Sequence, residues 1–570
     1  MTARGSAAGS RAAAFLFTLA CNGVALSADP VEQINLSPAQ PPEYLPGDQP
    51  QPFVLPPVEP GAPEGDSTTQ VEVRSIVFRG NTVVSTTELD DIVKPYLDKR
   101  VVSIADLEEL RQKLTRHYVD RGYINSGAVG SDVATDTGTV TFEILEGRLE
   151  AIRVAGLERL SERYVTSRLQ RDPDAVLDID ELRERFQLLL DDPLFARINA
   201  RLLPTPELGR AILDVAVERE RPYQLTAFVN NYRPPSVGSE ALGLRGWVRN
   251  LTGRGDLLEA SVQDSPEDGS PYSGGVGWRV PLTYAGTDLA LRFYHDGSAV
   301  IDEALQDLNI ESMTQSWEVT LSQMLVERLR HRLAAGLTWL ERRNETTLLD
   351  QPFSFETGIT SGITKAHAWR LYSEYAYRSE QQVLALRATY SMIRNNVEQL
   401  PDVPPELLPD QDYDIWLLQG IYARRVGERG AQVVLRTTAQ WTDERLLAID
   451  GMAIGGVYTV RGYRENTLVR DRGVVFTAEF EYPLRLRNTA ARVALVPFCD
   501  YGAGEDTGMS ADELSSCGLA LRAAWRGLSL DLAVGKRIGY PDFVDIEKDD
   551  LQDYGIHVEV RYDFFQPRRR

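Results

Sequence analysis

Residues 554 to 565 read "YGIHVEVRYDFF", and this stretch decides the fold: Ile556, Val558, Val560, Tyr562 and Phe564 alternate with His557, Glu559, Arg561 and Asp563. A β-strand turns successive side chains to opposite faces, so the segment has one apolar and one charged face. Moving back along the chain, the same period of two returns at Val493 to Asp500, Val474 to Tyr482, Leu289 to His295, Leu242 to Arg249 and Tyr223 to Asn230. Beyond Pro222 we count about sixteen such segments, an even number as bacterial membrane barrels require. Soluble β-sandwiches alternate too. Here long and short connections alternate, aromatic residues sit near strand ends, and the last strand closes on Phe564 and Phe565, which together favour a transmembrane barrel over residues 221–570. The tail "QPRRR" runs past that aromatic end, so the end alone does not carry the argument.

Composition permits this reading. Hydrophobic residues make up 43% of 570 residues and mean hydropathy is −0.27. No run of about eighteen apolar residues follows the N-terminal segment, which excludes a helical membrane protein. A spanning strand needs only about ten residues, half of them facing a polar interior. Arg4 and Arg11, the apolar stretch Ala12 to Ala20 and the small residues Ala25, Ser27 and Ala28 stand in the order of a secretory signal over residues 1–28. A lipoprotein signal ending at Cys21 is the runner-up, with Thr18 where a lipobox carries Leu. Cys499 and Cys517 then remain, and with five histidines and no CxxC or HxxxH spacing we expect neither a metal site nor a cofactor. A net charge of −22 argues against nucleic acid.

Residues 29–70 are rich in Pro, Glu, Gln and Gly ("PAQPPEYLPGDQPQPFVLPPVEPGAPEGD") and read as a linker that buries no core. Next an α+β pattern appears twice, over 71–147 and 148–220, with Ile76 and Ile152 at equivalent places. The first copy runs from a strand at Val73 to Phe78 through a helix capped by Ser85 and Thr86. A second helix follows from Ser103, with Leu107, Leu110, Leu114 and Tyr118 on one face, and two strands close the copy. "VRSIVFRGN", "RGYINSGAV" and "TFEILEGRL" resemble polypeptide-transport-associated (POTRA) domains of two-partner secretion transporters. The fold expected is thus mainly β: an outer-membrane barrel preceded by two small α+β POTRA-like domains.

The stretch Gln440 to Pro483, "QWTDERLLAIDGMAIGGVYTVRGYRENTLVRDRGVVFTAEFEYPL", places a connection of about thirty residues between two strands, far beyond a hairpin turn. It resembles the signature region of hemolysin activation and secretion proteins through Gly455, Gly456, Val460, Arg461, Gly462, Tyr463, Asp471, Gly473, Glu479 and Pro483. "FCDYGAG" resembles the family's next motif through Phe498, Asp500 and Gly502. The resemblance implies a loop folded back into the barrel with Arg461 deep in the lumen, paired with Asp500. Arg470 departs from the family, which usually has Gly there, and this puts the return arm of the loop in question. Cys499 and Cys517 fall on adjacent strands, on the face away from Asp500, and read as a disulfide closing the external loop between them, against two inert thiols.

No nucleophile elbow, zinc-binding helix or phosphate loop is present, so we expect no enzyme. The resemblance implies a bacterial outer-membrane translocator. Its periplasmic segment, residues 29–220, would recognise a large secreted polypeptide of adhesin, hemolysin or contact-toxin type, and the barrel would export it. Outer-membrane lipid and, during biogenesis, the barrel assembly machinery are the other expected partners. The alternative is an assembly factor that inserts other outer-membrane proteins, whose relatives usually carry more POTRA-like repeats. The strands around Ala128 to Val133 and Ala200 to Leu203 are the sheet edges expected to accept an extended partner segment.

Overall fold

A computed structural model of the chain describes Tyr44, Phe53–Val54 and residues 70–565, apart from residues 135, 267–271, 302–304, 487–488 and 540–548. The expected signal, most of the linker and the arginine tail lie outside the described residues. The described residues divide into two compact units, one holding Phe53–Val54 and residues 70–220 and the other residues 221–565 together with Tyr44.

In the first unit, the strands Ser75–Arg79, Thr139–Leu145 and Gly127–Ala134 lie side by side, the first pair parallel and the second antiparallel. Two helices, Thr86–Lys99 and Ile104–Asp120, cover this sheet, and Leu107, Leu110, Leu114 and Tyr118 are buried at helical spacing. Ser103 caps the second helix in a reciprocal capping box with Asp106. Ser85 occupies the first helix's N-cap but makes no side-chain cap bond; Thr86 lies inside the helix and accepts from Asn81 instead. The order strand, helix, helix, strand, strand recurs at Arg148–Ala155, Glu162–Leu169, Ile179–Leu190, Phe195–Pro204 and Arg210–Arg219.

One feature differs from the linker reading. Phe53–Val54 is a short strand pairing in parallel with Ala200 and Arg201, so part of the edge expected to be open is already occupied. Two residues next to a proline-rich run carry no periodicity that would reveal a strand. The edge of Gly127–Ala134 is open among the described residues.

The second unit is a closed barrel of sixteen wall strands from Tyr223–Asn230 to Ile556–Asp563, all neighbours antiparallel, with the first and last strands paired. The two-residue strand Gln351–Pro352 only decorates a loop. Connections at the end where Tyr223 starts are short, such as 379–381 and 427–430, whereas those at the far end, such as 349–362 and 442–471, are long. Burial inverts the order of a soluble protein. His557 and Glu559 face inward and are buried, whereas Val560, Tyr562 and Phe564 are exposed on the outer face. Trp416 and Trp441 are exposed and directly opposite each other in register, with Tyr390 opposite Trp416 on its other side, as in the aromatic girdle of a membrane barrel.

Candidate functional site: the lumenal loop and its seat

The connection 442–471 does not stand clear of the barrel. It forms a hairpin, Met452–Ile454 against Leu468–Arg470, and carries its tip into the lumen. Gly455, Gly456 and Gly462 have φ of 111°, 105° and 96°, which let the chain reverse at the tip without the strain a side chain would add.

Arg461 is 1% exposed despite its charge, and its partners explain how that is tolerated. Its backbone N–H and Nε donate to Asp500 Oδ2 at 3.0 and 2.8 Å, Nη2 donates to Asp500 Oδ1 at 2.8 Å, and Nη1 donates to Glu479 Oε1 at 2.6 Å. The guanidinium also lies over the Phe498 ring, 3.6 Å from its centroid. A buried cation without such partners would be strongly destabilising.

Phe498, Asp500 and Gly502 are two residues apart along Arg492–Glu505, so all three point into the lumen. Each meets the loop differently. Phe498 supplies a face for Arg461 and Asp500 its counter-charge. Gly502 supplies space, because a Cβ there would lie 2.5 Å from Ile454 Cγ2 and 2.9 Å from Val460 Cγ2. Gly462 donates from its backbone to His557 Nε2 at 3.1 Å and abuts Gly535 on Leu528–Arg537, where a Cβ would sit 2.7 Å from the carbonyl oxygen of Arg461. Val460 and Tyr463 are fully buried, and the Tyr463 hydroxyl donates to the carbonyl of Ser515 at 3.1 Å. Arg464 donates to Asp553 at 2.9 Å, and the Glu465 N–H to Gln552 at 2.9 Å.

Glu479 matches the motif stretch in sequence, but nothing local to it reveals its role. Its side chain is wholly buried and accepts from Arg461, from Arg436 at 2.8 Å and from Arg522 at 3.0 and 3.1 Å. It belongs to the same motif stretch as Arg461, but only the pairing of the wall strands brings Arg436 to it from the neighbouring strand and Arg522 from the next but one. The lumen face beside it also departs from a uniformly polar wall: Ala494, Val496, Phe498, Ala520 and Ala533 form a small apolar cluster there.

Asp471 ties the base of the loop, accepting from the backbone N–H of Leu446 at 3.0 Å and of Thr507 at 2.9 Å. Arg470 pairs with Met452 across the hairpin and reaches Asp512 at 2.6 Å, so the return arm keeps a regular path with Arg in place of Gly. Cys499 and Cys517 stand directly opposite on neighbouring strands and are joined as a disulfide. Strand pairing continues beyond them to Gly504 and Asp512, so the bond clamps two wall strands below the external connection instead of closing it. Among the described residues, no group of His, Cys, Asp and Glu is placed to hold a metal ion.

A sixteen-stranded barrel with inward polar and outward apolar faces, a long loop seated on its inner wall and a POTRA domain ahead of it is the architecture of outer-membrane polypeptide transporters. The chain belongs to the family of haemolysin secretion/activation proteins ShlB/FhaC/HecB, whose family model matches residues 209–524; a ShlB-type POTRA model matches residues 71–147. It is 23% identical over 466 residues to the heme/hemopexin transporter protein HuxB of Haemophilus influenzae, covering 77% of this chain and 76% of the relative. It is 22% identical over 486 residues to the outer membrane transporter CdiB of Escherichia coli, covering 83% and 80%. The solved structure of CdiB from Escherichia coli shares the fold with a TM-score of 0.69 at 20% identity, covering 89% of this chain and 93% of that one. The protein is accordingly a two-partner secretion transporter of the bacterial outer membrane, with its POTRA region in the periplasm.

Proposed function

We propose that this transporter exports one large partner polypeptide, captured unfolded by the POTRA region and passed as an extended chain through the barrel. The observation that carries this reading is the lumen itself. Beside the seated loop lies a cavity of about 330 Å³ whose lining mixes polar side chains, among them Ser261, Thr389 and Gln419, with apolar ones such as Leu340, Ile393 and Leu417. A mixed wall can accommodate both kinds of side chain that an extended chain presents on its two faces. Residues 148–220 act as a second POTRA-like domain, a reading supported by the repeated element order. Residues 1–28 act as the export signal and most of 29–70 as a linker.

The open edge of Gly127–Ala134 is the better docking strand, since main-chain hydrogen bonds there are available to an added strand. Outer-membrane lipid surrounds the exposed apolar face, and the barrel assembly machinery inserts the protein. Arg461 and Asp500 set the position of the loop and do no chemistry. The outer membrane lacks ATP, so folding of the partner outside draws the exported segment forward. The test is co-expression with a very long, β-helical secreted protein encoded beside this gene. Release of that protein with this transporter, and retention without it, is expected; equal release in both strains rejects the reading.

A further inference from the structure

The tip of the loop and its outer arm are held by different parts of the wall. Every seat of the tip named above lies on strands from Arg472 to Asp563 or on the turn Leu551–Tyr554 between the last two of them, and Arg436 supports Glu479 from the strand before. The outer arm, residues 446–451, crosses to the opposite side. There Asp450 Oδ1 accepts from Arg342 Nη1 at 2.9 Å and Oδ2 accepts from the Tyr413 hydroxyl at 2.7 Å. Arg342 stands on His331–Leu348 and Tyr413 on Asp412–Val426, two strands that carry none of the seats of the tip named above. The Ala448 N–H donates to Glu356 Oε1 at 2.8 Å, and Leu446 and Leu447 pack among Leu340, Ile359, Ile393 and Tyr413.

This division places the cavity. Its wall residues all come from strands between Tyr223 and Trp441, and none is a seat of the tip. Ile449, Asp450 and Gly451 also line it, so the arm lies across the space that a chain in the lumen occupies, towards the external loops. The two attachments differ in strength. Arg461 makes four hydrogen bonds to two buried carboxylates and stacks on Phe498, and His557, Ser515, Asp553 and Gln552 hold its neighbours, whereas the arm holds one ion pair, one hydroxyl bond, single bonds to Glu356, Asp471 and Gln440 and a few aliphatic contacts. The weaker attachment is the one over the cavity.

We propose that the arm 446–451 is the outward lid of this cavity and that Asp450, held by Arg342 and Tyr413, is its latch. The exported chain leaves by lifting the arm while Arg461 stays seated on Asp500 and Glu479. The idea rests on the export reading for its purpose, but the lid itself has a readout that needs no partner protein.

Purified full-length protein in planar bilayers tests it. Asp450→Ala and Arg342→Gln each remove the ion pair, and Tyr413→Phe removes a single hydroxyl with little change in packing. Each loss is expected to raise the open population by about ten-fold, which corresponds to about 1.4 kcal/mol. Wild-type conductance in all three, with barrels that remain folded in unheated electrophoresis, overturns the lid. A second arm joins Arg342→Cys to Asp450→Cys with a cleavable thiol cross-linker and follows secretion in cells, using each single-cysteine variant as control. Secretion that stops on cross-linking and returns on cleavage supports the lid; secretion undiminished by the cross-link overturns it. A wild-type protein that secretes no partner counts against the export reading alone, because the conductance still reports the lid.

Discussion

Arg461 is held from two sides, and its two carboxylates are not equivalent. Glu479 keeps Arg436 and Arg522 when Arg461 is removed, but among the described residues no other cationic side chain bonds Asp500. Arg461→Ala therefore leaves Asp500 buried and uncompensated, at an expected cost of about 3 to 5 kcal/mol. Asp500→Ala leaves Arg461 its 2.6 Å bond to Glu479, with an expected cost nearer about 1 to 3 kcal/mol. Secretion at matched transporter levels should follow that order, and adding Asp500→Ala to Arg461→Ala should make nothing worse, since it removes the stranded carboxylate. Equal loss in the two single variants would show that Glu479 does not share the load. The motif positions were legible because Phe498, Asp500 and Gly502 repeat with a strand's period. Glu479 was not assigned because its partners are scattered at 436, 461 and 522 and meet only across three strands and a loop.

At the scale of single elements, helices and sheets followed from spacing and caps, and edges did not. The capping box at Ser103 draws the Asp106 carboxyl down to about 2, chiefly through bonds from the Ser103 backbone and hydroxyl, so this cap persists at every pH above the usual carboxylate range. The free edge at Gly127–Ala134 carries a prediction. Successive residues of an edge strand aim their N–H groups alternately inward and outward, so one of Asp132→Pro and Val133→Pro removes an outward donor. That variant should bind the partner's N-terminal domain several-fold more weakly; equal binding by both moves the docking site elsewhere. Phe53–Val54 makes a separate claim on the other sheet. Val54→Pro should loosen its pairing with Arg201, and faster hydrogen exchange at Ala200 to Leu202 in the full-length protein would report it. Unchanged exchange would mean that this short strand does not protect the edge.

For the molecule as a whole, the inverted barrel sets what each face tolerates. Leu371 is exposed midway along Ile363–Arg378 and faces lipid, so Leu371→Arg should cost about 2 to 4 kcal/mol in denaturant titrations of the membrane-inserted protein. A cost near zero would place this face in water. The wall disulfide predicts that denatured, unreduced protein offers no thiol at Cys499 or Cys517 to an alkylating reagent, and both after reduction; labelling before reduction excludes the bond. Taken alone, the amino-acid order determined that the chain is a barrel after two α+β modules and that one long connection is special. Periods of 2 and 3.6, caps and turn lengths are local quantities, written within a dozen residues. Which wall strands hold the tip, which hold the arm, where the cavity lies and that Phe53–Val54 covers an edge were decided by the tertiary structure alone. Those contacts join residues tens to hundreds of positions apart, and closing the barrel is what brings most of them together.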